Sequence, residues 1–151
     1  MKEANPAKRI PRKPIIVVIE DNADQWVLIE WVLSQQFPEI KPVWFADPAQ
    51  AILYLESSLE DVLPRLILLD LYLPNHKVGW KTLELIKNHP LLREVPVVVL
   101  SQSSDPEDIK ESYMHQANSY MIKPNTYQEW LTTFTHFRHY WWNVVTLPTV
   151  L

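Results

Sequence analysis

Apolar residues in this chain gather into short runs, separated by longer stretches in which they recur with a helical period. The runs are "PIIVVI" (14–19), "PVWFA" (42–46), "RLILLD" (65–70), "VPVVVLS" (95–101) and "SYMIKP" (119–124). Each is too short for a helix and rich in β-branched or other apolar residues, which predicts five strands. Between them the helix starts can be read: Asp47 with Pro48 at the first helical position, a capping box Ser104-x-x-Glu107, and another at Thr126-x-x-Glu129. Strand and helix alternating five times predict an α/β fold, in which parallel strands joined by right-handed crossovers form a doubly wound sheet with helices on both faces. No repeat or low-complexity tract interrupts the pattern.

The third run poses a question, because Leu66–Leu69 is apolar enough for a strand buried on both faces and yet it ends in the carboxylate of Asp70. In open parallel sheets, ligands gather outside the carboxyl ends of the strands. Here strand one ends in Glu20-Asp21, strand three in Asp70, strand four in Ser101, and strand five in Lys123-Pro124. Taken singly, each has an ordinary reading as a helix cap or turn residue. Their joint occurrence at four strand ends points to one site. Three carboxylates crowded together raise one another's pKa unless a cation intervenes, and a hard, oxygen-seeking ion such as Mg²⁺ is the expected partner.

Composition narrows the setting. At 151 residues, 47% apolar and 21% charged, the chain has the size of one domain with one substantial core. It holds no cysteine, which excludes disulfides and thiolate metal sites. The apolar runs fall far short of a membrane span, and the basic start shows no signal-peptide cleavage pattern, so a cytoplasmic protein is expected. Residues 1–13 carry a balance of +4, which leaves −8 on the remainder of a chain whose net charge is −4. We read 1–13 as a flexible, solvated basic arm rather than a nucleic-acid or membrane contact, 14–147 as the folded domain with an extended last helix, and 148–151 as a tail.

The residues "VVIEDN" (17–22), "LILLDLYLP" (66–74), "VPVVVLSQSS" (95–104) and "SYMIKP" (119–124) resemble, in identity and spacing, the receiver domains of two-component response regulators. The resemblance spans almost the whole chain after residue 14. It implies a flavodoxin-like strand order 2-1-3-4-5, and a signalling protein rather than an enzyme. It also implies that Asp70 accepts a phosphoryl group from the phosphohistidine of a sensor histidine kinase in a Mg²⁺-dependent reaction. Asp21 would bind Mg²⁺ directly and Glu20 through water, with the backbone carbonyl of Tyr72 as a further ligand. Ser101 and Lys123 would hold the phosphoryl oxygens, and Ser101 and Tyr120 would form a switch in which the hydroxyl moves to the phosphate and the tyrosine follows inward. Lys123-Pro124 is expected to be a cis peptide, as in that family. Phosphoryl transfer needs an in-line nucleophile, a cation on the equatorial oxygens and a positive side chain, which Asp70, Mg²⁺ and Lys123 supply.

A narrower likeness rests on "HFRHYWWNVVTLP" (136–148), "LESSLEDVLP" (55–64) and "VVVLSQSS". Together they resemble the single-domain regulators that partner cyanobacterial phytochromes. Tyr72 and Gln102 depart from that pattern by being bulky, and they are expected to tune the rate by shielding the acyl phosphate from water. Rival functions fit less well. Glu20-Asp21 stands where a flavin phosphate loop would need a neutral, small-residue turn, and Gly79 is the only glycine, which excludes a P-loop. An aspartyl-nucleophile phosphatase usually carries a second Asp where Tyr72 stands, and a phosphorylation-silent binding module would lack one of the key positions. His136 and His139 read as surface histidines rather than a metal pair.

The chain ends about where a receiver ends, so the output is expected to pass through a downstream protein, a phosphotransfer partner, or self-association. Trp130, Phe134, Phe137, Trp141 and Val145 recur at spacings of four, three, four and four, one apolar stripe down the last helix, with Tyr140 and Trp142 beside it. A sheet of this size covers about four helical turns. Trp141, Trp142, Val144 and Leu147 are therefore expected to project as exposed apolar surface. A homodimer is expected on Trp130, Phe137, Trp141 and Trp142, built on the fourth-helix, fifth-strand and fifth-helix faces that the resemblance implies.

Overall fold

The computed structural model describes residues 12–60 and 62–148, so most of the expected arm (1–13) and tail (148–151) lies outside the described residues. Five strands, β1 (Ile15–Ile19), β2 (Lys41–Phe45), β3 (Leu66–Leu69), β4 (Val97–Ser101) and β5 (Ser119–Ile122), fall within two residues of the apolar runs. They form one parallel sheet in the order β2-β1-β3-β4-β5, as expected.

Five helices connect and follow the strands: α1 (Ala23–Gln36), α2 (Pro48–Ser57), α3 (His76–Asn88), α4 (Pro106–Met114) and α5 (Tyr127–Arg138). Their starts have local causes. Asn22 caps α1 by accepting from the N–H groups of Asp24 and Gln25, and Asp47 caps α2 with Pro48 following it. Thr126 accepts from the Glu129 N–H at 3.1 Å, and the Glu129 carboxylate accepts from the N–H of Asn125 at 3.0 Å. The box expected on Ser104 is displaced by one residue. Proline at 106 takes the first helical position of α4, which makes Asp105 the cap, and its carboxylate accepts from the Glu107 N–H.

Alternation along the strands sorts side chains onto two faces. Ile16, Val18, Leu66, Leu68, Val98 and Leu100 pack with Ile29, Val32 and Leu33 of α1 and with Trp130, Phe134 and Phe137 of α5. Val17, Ile19, Ile67, Leu69, Val97 and Val99 pack with Ala51 and Leu55 of α2 and with Leu83 and Ile86 of α3. Both faces are therefore dry, and each fully buried large apolar side chain contributes about 1.5–3 kcal/mol.

The end of the chain corrects the expected exposed stripe. After Arg138 the backbone widens into a π-helix over His139–Val144, closed by the Val145 N–H donating to the Tyr140 carbonyl at 2.8 Å. The stripe residues Trp130, Phe134, Phe137, Trp141 and Val145 all meet one core, and the wider turn keeps this end of the chain, Trp142 included, against the molecule rather than projecting past it. Trp130, Phe137 and Trp141 are buried in the α1/α5 core. Trp142 meets Phe37 edge-on at 4.9 Å and lies under the Arg65 guanidinium, 4.7 Å from the ring centre. Val145 and Leu147 pack against the same core, while Tyr140 and Val144 stay exposed. The four residues expected to form a dimer interface are thus partners of their own sheet and helices.

Candidate functional site

The strand ladder carries the site residues into place. One residue past the strands, the Glu20 N–H donates to the Phe45 carbonyl at 3.1 Å, and the Asp70 N–H donates to the Ile19 carbonyl at 2.9 Å. The Lys123 N–H donates to the Ser101 carbonyl at 2.7 Å. Backbone positions at one end of the sheet are fixed to the neighbouring strand, so the side chains converge without a long loop to order. Trp44 of β2 adds a brace, since its indole N–H donates to the Glu20 carbonyl at 2.7 Å and its ring stacks on Trp26 at 5.4 Å.

One oxygen each of Glu20, Asp21 and Asp70 lies within 4.8 Å of the other two. Glu20 and Asp70 are buried, and Asp21 faces solvent. Lys123 is also buried, with Nζ 2.9 Å from Glu20 Oε2 and 3.6 Å from Asp70 Oδ2. The Tyr72 N–H donates to Asp70 Oδ1 at 3.2 Å, leaving Oδ2 toward the lysine. A cavity of about 190 Å³ opens over these groups, lined by Glu20, Asp21, Asn22, Gln25, Asp70, Tyr72, Gln102 and Lys123.

The electrostatics record the crowding. Burial and then the neighbouring Asp70 charge push the Glu20 carboxyl up to about 7, against the opposing pull of Lys123. Asp21 is also raised, by partial burial and then by Asp70. One ammonium does not compensate three carboxylates. The donor set is all oxygen, it is crowded, and Glu20 and Asp21 are pushed toward protonation, which is the environment a hard divalent cation would reverse. These residues fit Mg²⁺.

Ser101 ends β4 fully buried and is not among the cavity-lining residues; its hydroxyl oxygen accepts the Ser103 N–H at 3.1 Å. Tyr120 packs its ring against the α2/α3 core, and its hydroxyl donates to the Ser103 carbonyl at 2.7 Å, so it already points inward. Burial raises the Tyr120 phenol, while hydrogen bonding with Ser101 and Ser103 acts the other way. Tyr72 and Gln102 both stand in the cavity wall. The cis peptide among the described residues is Leu73–Pro74 rather than Lys123–Pro124; the β5 register alone is enough to bring Lys123 to Glu20. His136 and His139 are exposed, and the acidic trio is the only group of possible metal ligands among the described residues.

Sequence reasoning missed Asn22, Gln25, Trp44, His76, Ser103 and Asp108. Asn22 was visible within "VVIEDN" as the residue after the acidic pair. Ser103 was likewise visible within "VPVVVLSQSS", two residues after Ser101, whereas the other four carry no local signal, because only the folding of α1, β2, α3 and α4 around the strand ends brings them near.

The family model "Response regulator receiver domain" matches residues 16–135. Two curated relatives are similar over most of their length. The "Probable methanogenesis regulatory protein FilR2" of Methanothrix harundinacea is 35% identical over 133 residues, 85% of each chain. "Response regulator Rcp1" of Synechocystis is 32% identical over 149 residues, 97% of each chain. A solved Mn(2+)-bound form of Rcp1 has a TM-score of 0.77 at 30% identity, covering 90% of this chain and 99% of that one. The phosphorylated cyanobacterial phytochrome response regulator RcpA has a TM-score of 0.81 at 32% identity, covering 91% of this chain and all of that one.

Proposed function

Because the chain belongs to the response regulator receiver-domain family, we propose that it carries a signal as an aspartyl phosphate on Asp70, received from a sensor histidine kinase. The observation that supports this most is the buried Asp70 carboxylate, with Lys123 Nζ 3.6 Å from one oxygen and two further carboxylates within 4.8 Å. In the transfer, an Asp70 oxygen attacks phosphorus, the P–N bond of the donor phosphohistidine breaks, and the imidazole leaves with that electron pair. The chain's own part is positioning and charge. Tyr72 N–H holds one Asp70 oxygen, Lys123 stands ready to pair with a phosphoryl oxygen, and Ser101 offers a hydroxyl to another. Glu20, Asp21, Asp70 and the Tyr72 carbonyl would hold Mg²⁺, which when bound neutralises negative charge on the phosphoryl oxygens.

The bond from the Tyr120 hydroxyl to the Ser103 carbonyl, and that from the Ser103 N–H to Ser101 Oγ, support a switch in which the β4–α4 loop and the tyrosine move together with Ser101. Tyr72 and Gln102 in the cavity wall support a long-lived acyl phosphate. The kinase partner we propose is phytochrome-type, a reading supported by the similarity to Rcp1 and RcpA. Output passes to a downstream protein or phosphotransfer partner in the cytoplasm, and the reading calls for no nucleic acid and no membrane. No helix among the described residues is long and apolar enough to cross a membrane. Self-association would use surface other than Trp130, Phe137, Trp141 and Trp142, which pack in or against the core.

Intact-mass analysis after incubation with acetyl phosphate and Mg²⁺ tests the proposal. The chain is expected to gain one phosphoryl group, Asp70→Asn to gain none, and EDTA to suppress the gain. A phosphorylated Asp70→Asn, or an unchanged gain in EDTA, would overturn it.

A further inference from the structure

Between the phosphoacceptor cavity and α4 runs a chain of contacts centred on His76, the first residue of α3. Its ring lies 3.9 Å, centre to centre, from that of Tyr72, which is itself in the cavity wall, and 5.4 Å from Trp80 on its other side. Its Nδ1 lies 3.3 Å from Asp108 Oδ1 on α4. The other oxygen of Asp108 accepts the Ser103 hydroxyl at 2.5 Å. Ser103 in turn donates its N–H to Ser101 Oγ at 3.1 Å and accepts the Tyr120 hydroxyl on its carbonyl at 2.7 Å. One imidazole therefore touches the side chain beside Asp70 and, through a single carboxylate, the segment that orients the Ser101 hydroxyl.

An ordinary packing role would favour a different residue. His76 Nε2 is buried with no hydrogen-bond partner among the described residues, an arrangement that is unfavourable for a polar ring and would be avoided by phenylalanine or leucine. The nitrogen that does have a partner is the one aimed at Asp108. Ser103 occupies a lone pair of Ser101 Oγ, which restricts the directions in which the serine hydroxyl can point. If the Asp108 to Ser103 link is removed, that orientation is no longer imposed. If the His76 ring is removed, the half-exposed Tyr72 ring has lost its nearest aromatic partner and can leave the cavity mouth.

Resting on the phosphoacceptor reading above, we infer that His76 is a positioning residue with two separable effects. Its ring holds Tyr72 over Asp70 and so limits attack of water on the acyl phosphate. Its Nδ1, through Asp108 and Ser103, presets the Ser101 hydroxyl and so speeds phosphoryl uptake.

The two effects are read as two rates, uptake from acetyl phosphate and loss of the bound phosphoryl group, both followed by intact mass on the full chain with saturating Mg²⁺. His76→Ala is expected to speed loss and slow uptake, each by about two- to tenfold, the range that one ring contact or hydrogen bond can shift a rate. His76→Phe keeps a ring against Tyr72, so loss returns to within about twofold of the native rate while uptake stays slow. Asp108→Ala is expected to behave like His76→Phe. In the double variant Tyr72→Ala with His76→Ala, loss should be no faster than in Tyr72→Ala alone.

Native rates in His76→Ala overturn the inference. So does a loss rate in His76→Phe as fast as in His76→Ala, or full additivity with Tyr72→Ala. Should His76→Ala fail to fold, His76→Phe and Asp108→Ala still decide, through normal loss combined with slow uptake. Failure of the underlying reading is distinguishable, because the unsubstituted chain would then take up no phosphoryl group, and both proposals would fall together.

Discussion

Gly79 is the only glycine in 151 residues, and it lies inside α3 with no positive φ to explain it. Helix propensity alone says that Gly79→Ala should stabilise the protein by about 1 kcal/mol. The packing says the opposite. A Cβ at this position would stand 2.8 Å from the Leu71 carbonyl carbon and 3.0 Å from the Leu71 Cα, and closer still to the Leu71 oxygen. Carbon atoms pack best at about 3.5–4.0 Å. The obstructing atoms are backbone, so no rotamer change removes them, and α3 or the Leu71 segment must move by about 1 Å. Such forced shifts cost about 1–3 kcal/mol and occasionally more. Because the overlap is with backbone and involves more than one atom, the steric cost falls in the upper part of that range, about 2–3 kcal/mol, and it exceeds the propensity gain to leave a net loss of about 1–2 kcal/mol. For a chain of this size that lowers Tm by about 2–8 °C. Leu71 joins Asp70 to Tyr72, so the same shift should slow phosphoryl uptake. Thermal unfolding followed by circular dichroism, with uptake measured by mass, tests both. A Tm equal to or above that of the unsubstituted chain would refute the argument that close approach, rather than flexibility, explains the glycine.

Three further outcomes are expected. Trp141→Ala should cost about 3–5 kcal/mol in denaturant unfolding, because the side chain is 7% exposed in the α1/α5 core, whereas Val144→Ala nearby should change stability by no more than about 0.5 kcal/mol; equal, small effects would mean that the tail is not packed as described. Lys87 is held by the carbonyls of Arg93 and Val95, and burial lowers its ammonium to about 8 from an ordinary 10.5. Between those values the unfolded chain binds more protons, so stability should rise with pH across that window relative to Lys87→Met, and parallel curves would contradict the shift. Tyr72→Asn and Gln102→Ala should each speed phosphate loss by about two- to tenfold; unchanged rates in both would show that these walls do not shield Asp70.

The fold was legible because its signals are local. Apolar runs placed β1 to β5 within two residues, and Asp47-Pro48 and Thr126 marked α2 and α5 correctly, since caps act over three or four residues. The acidic trio was legible because strand ends in a parallel sheet converge whatever the loops do. Three features were not. The α4 cap fell on Asp105, where proline set the frame that the Ser104 pattern ignored. The last stripe does lie on one core, but the exposure expected past Phe137 failed, because the π-helix from His139 keeps the chain against the molecule and nothing in an amphipathic pattern reports that Trp142 will find Phe37 and Arg65. The His76, Asp108 and Ser103 link escaped because its members come from α3, α4 and the loop after β4, and only the packed structure shows them to be neighbours.

The central claim is that the signal resides on Asp70 as an acyl phosphate. Borohydride reduces an acyl phosphate to an alcohol and leaves free carboxylates intact, so treatment of the phosphorylated chain followed by peptide mass spectrometry identifies the acceptor directly. The account predicts homoserine at position 70 and nowhere else, in a yield that follows the phosphorylated fraction and vanishes without Mg²⁺. Reduction at Glu20, Asp21 or another carboxylate, or none at all in a chain that has gained a phosphoryl group, would contradict it.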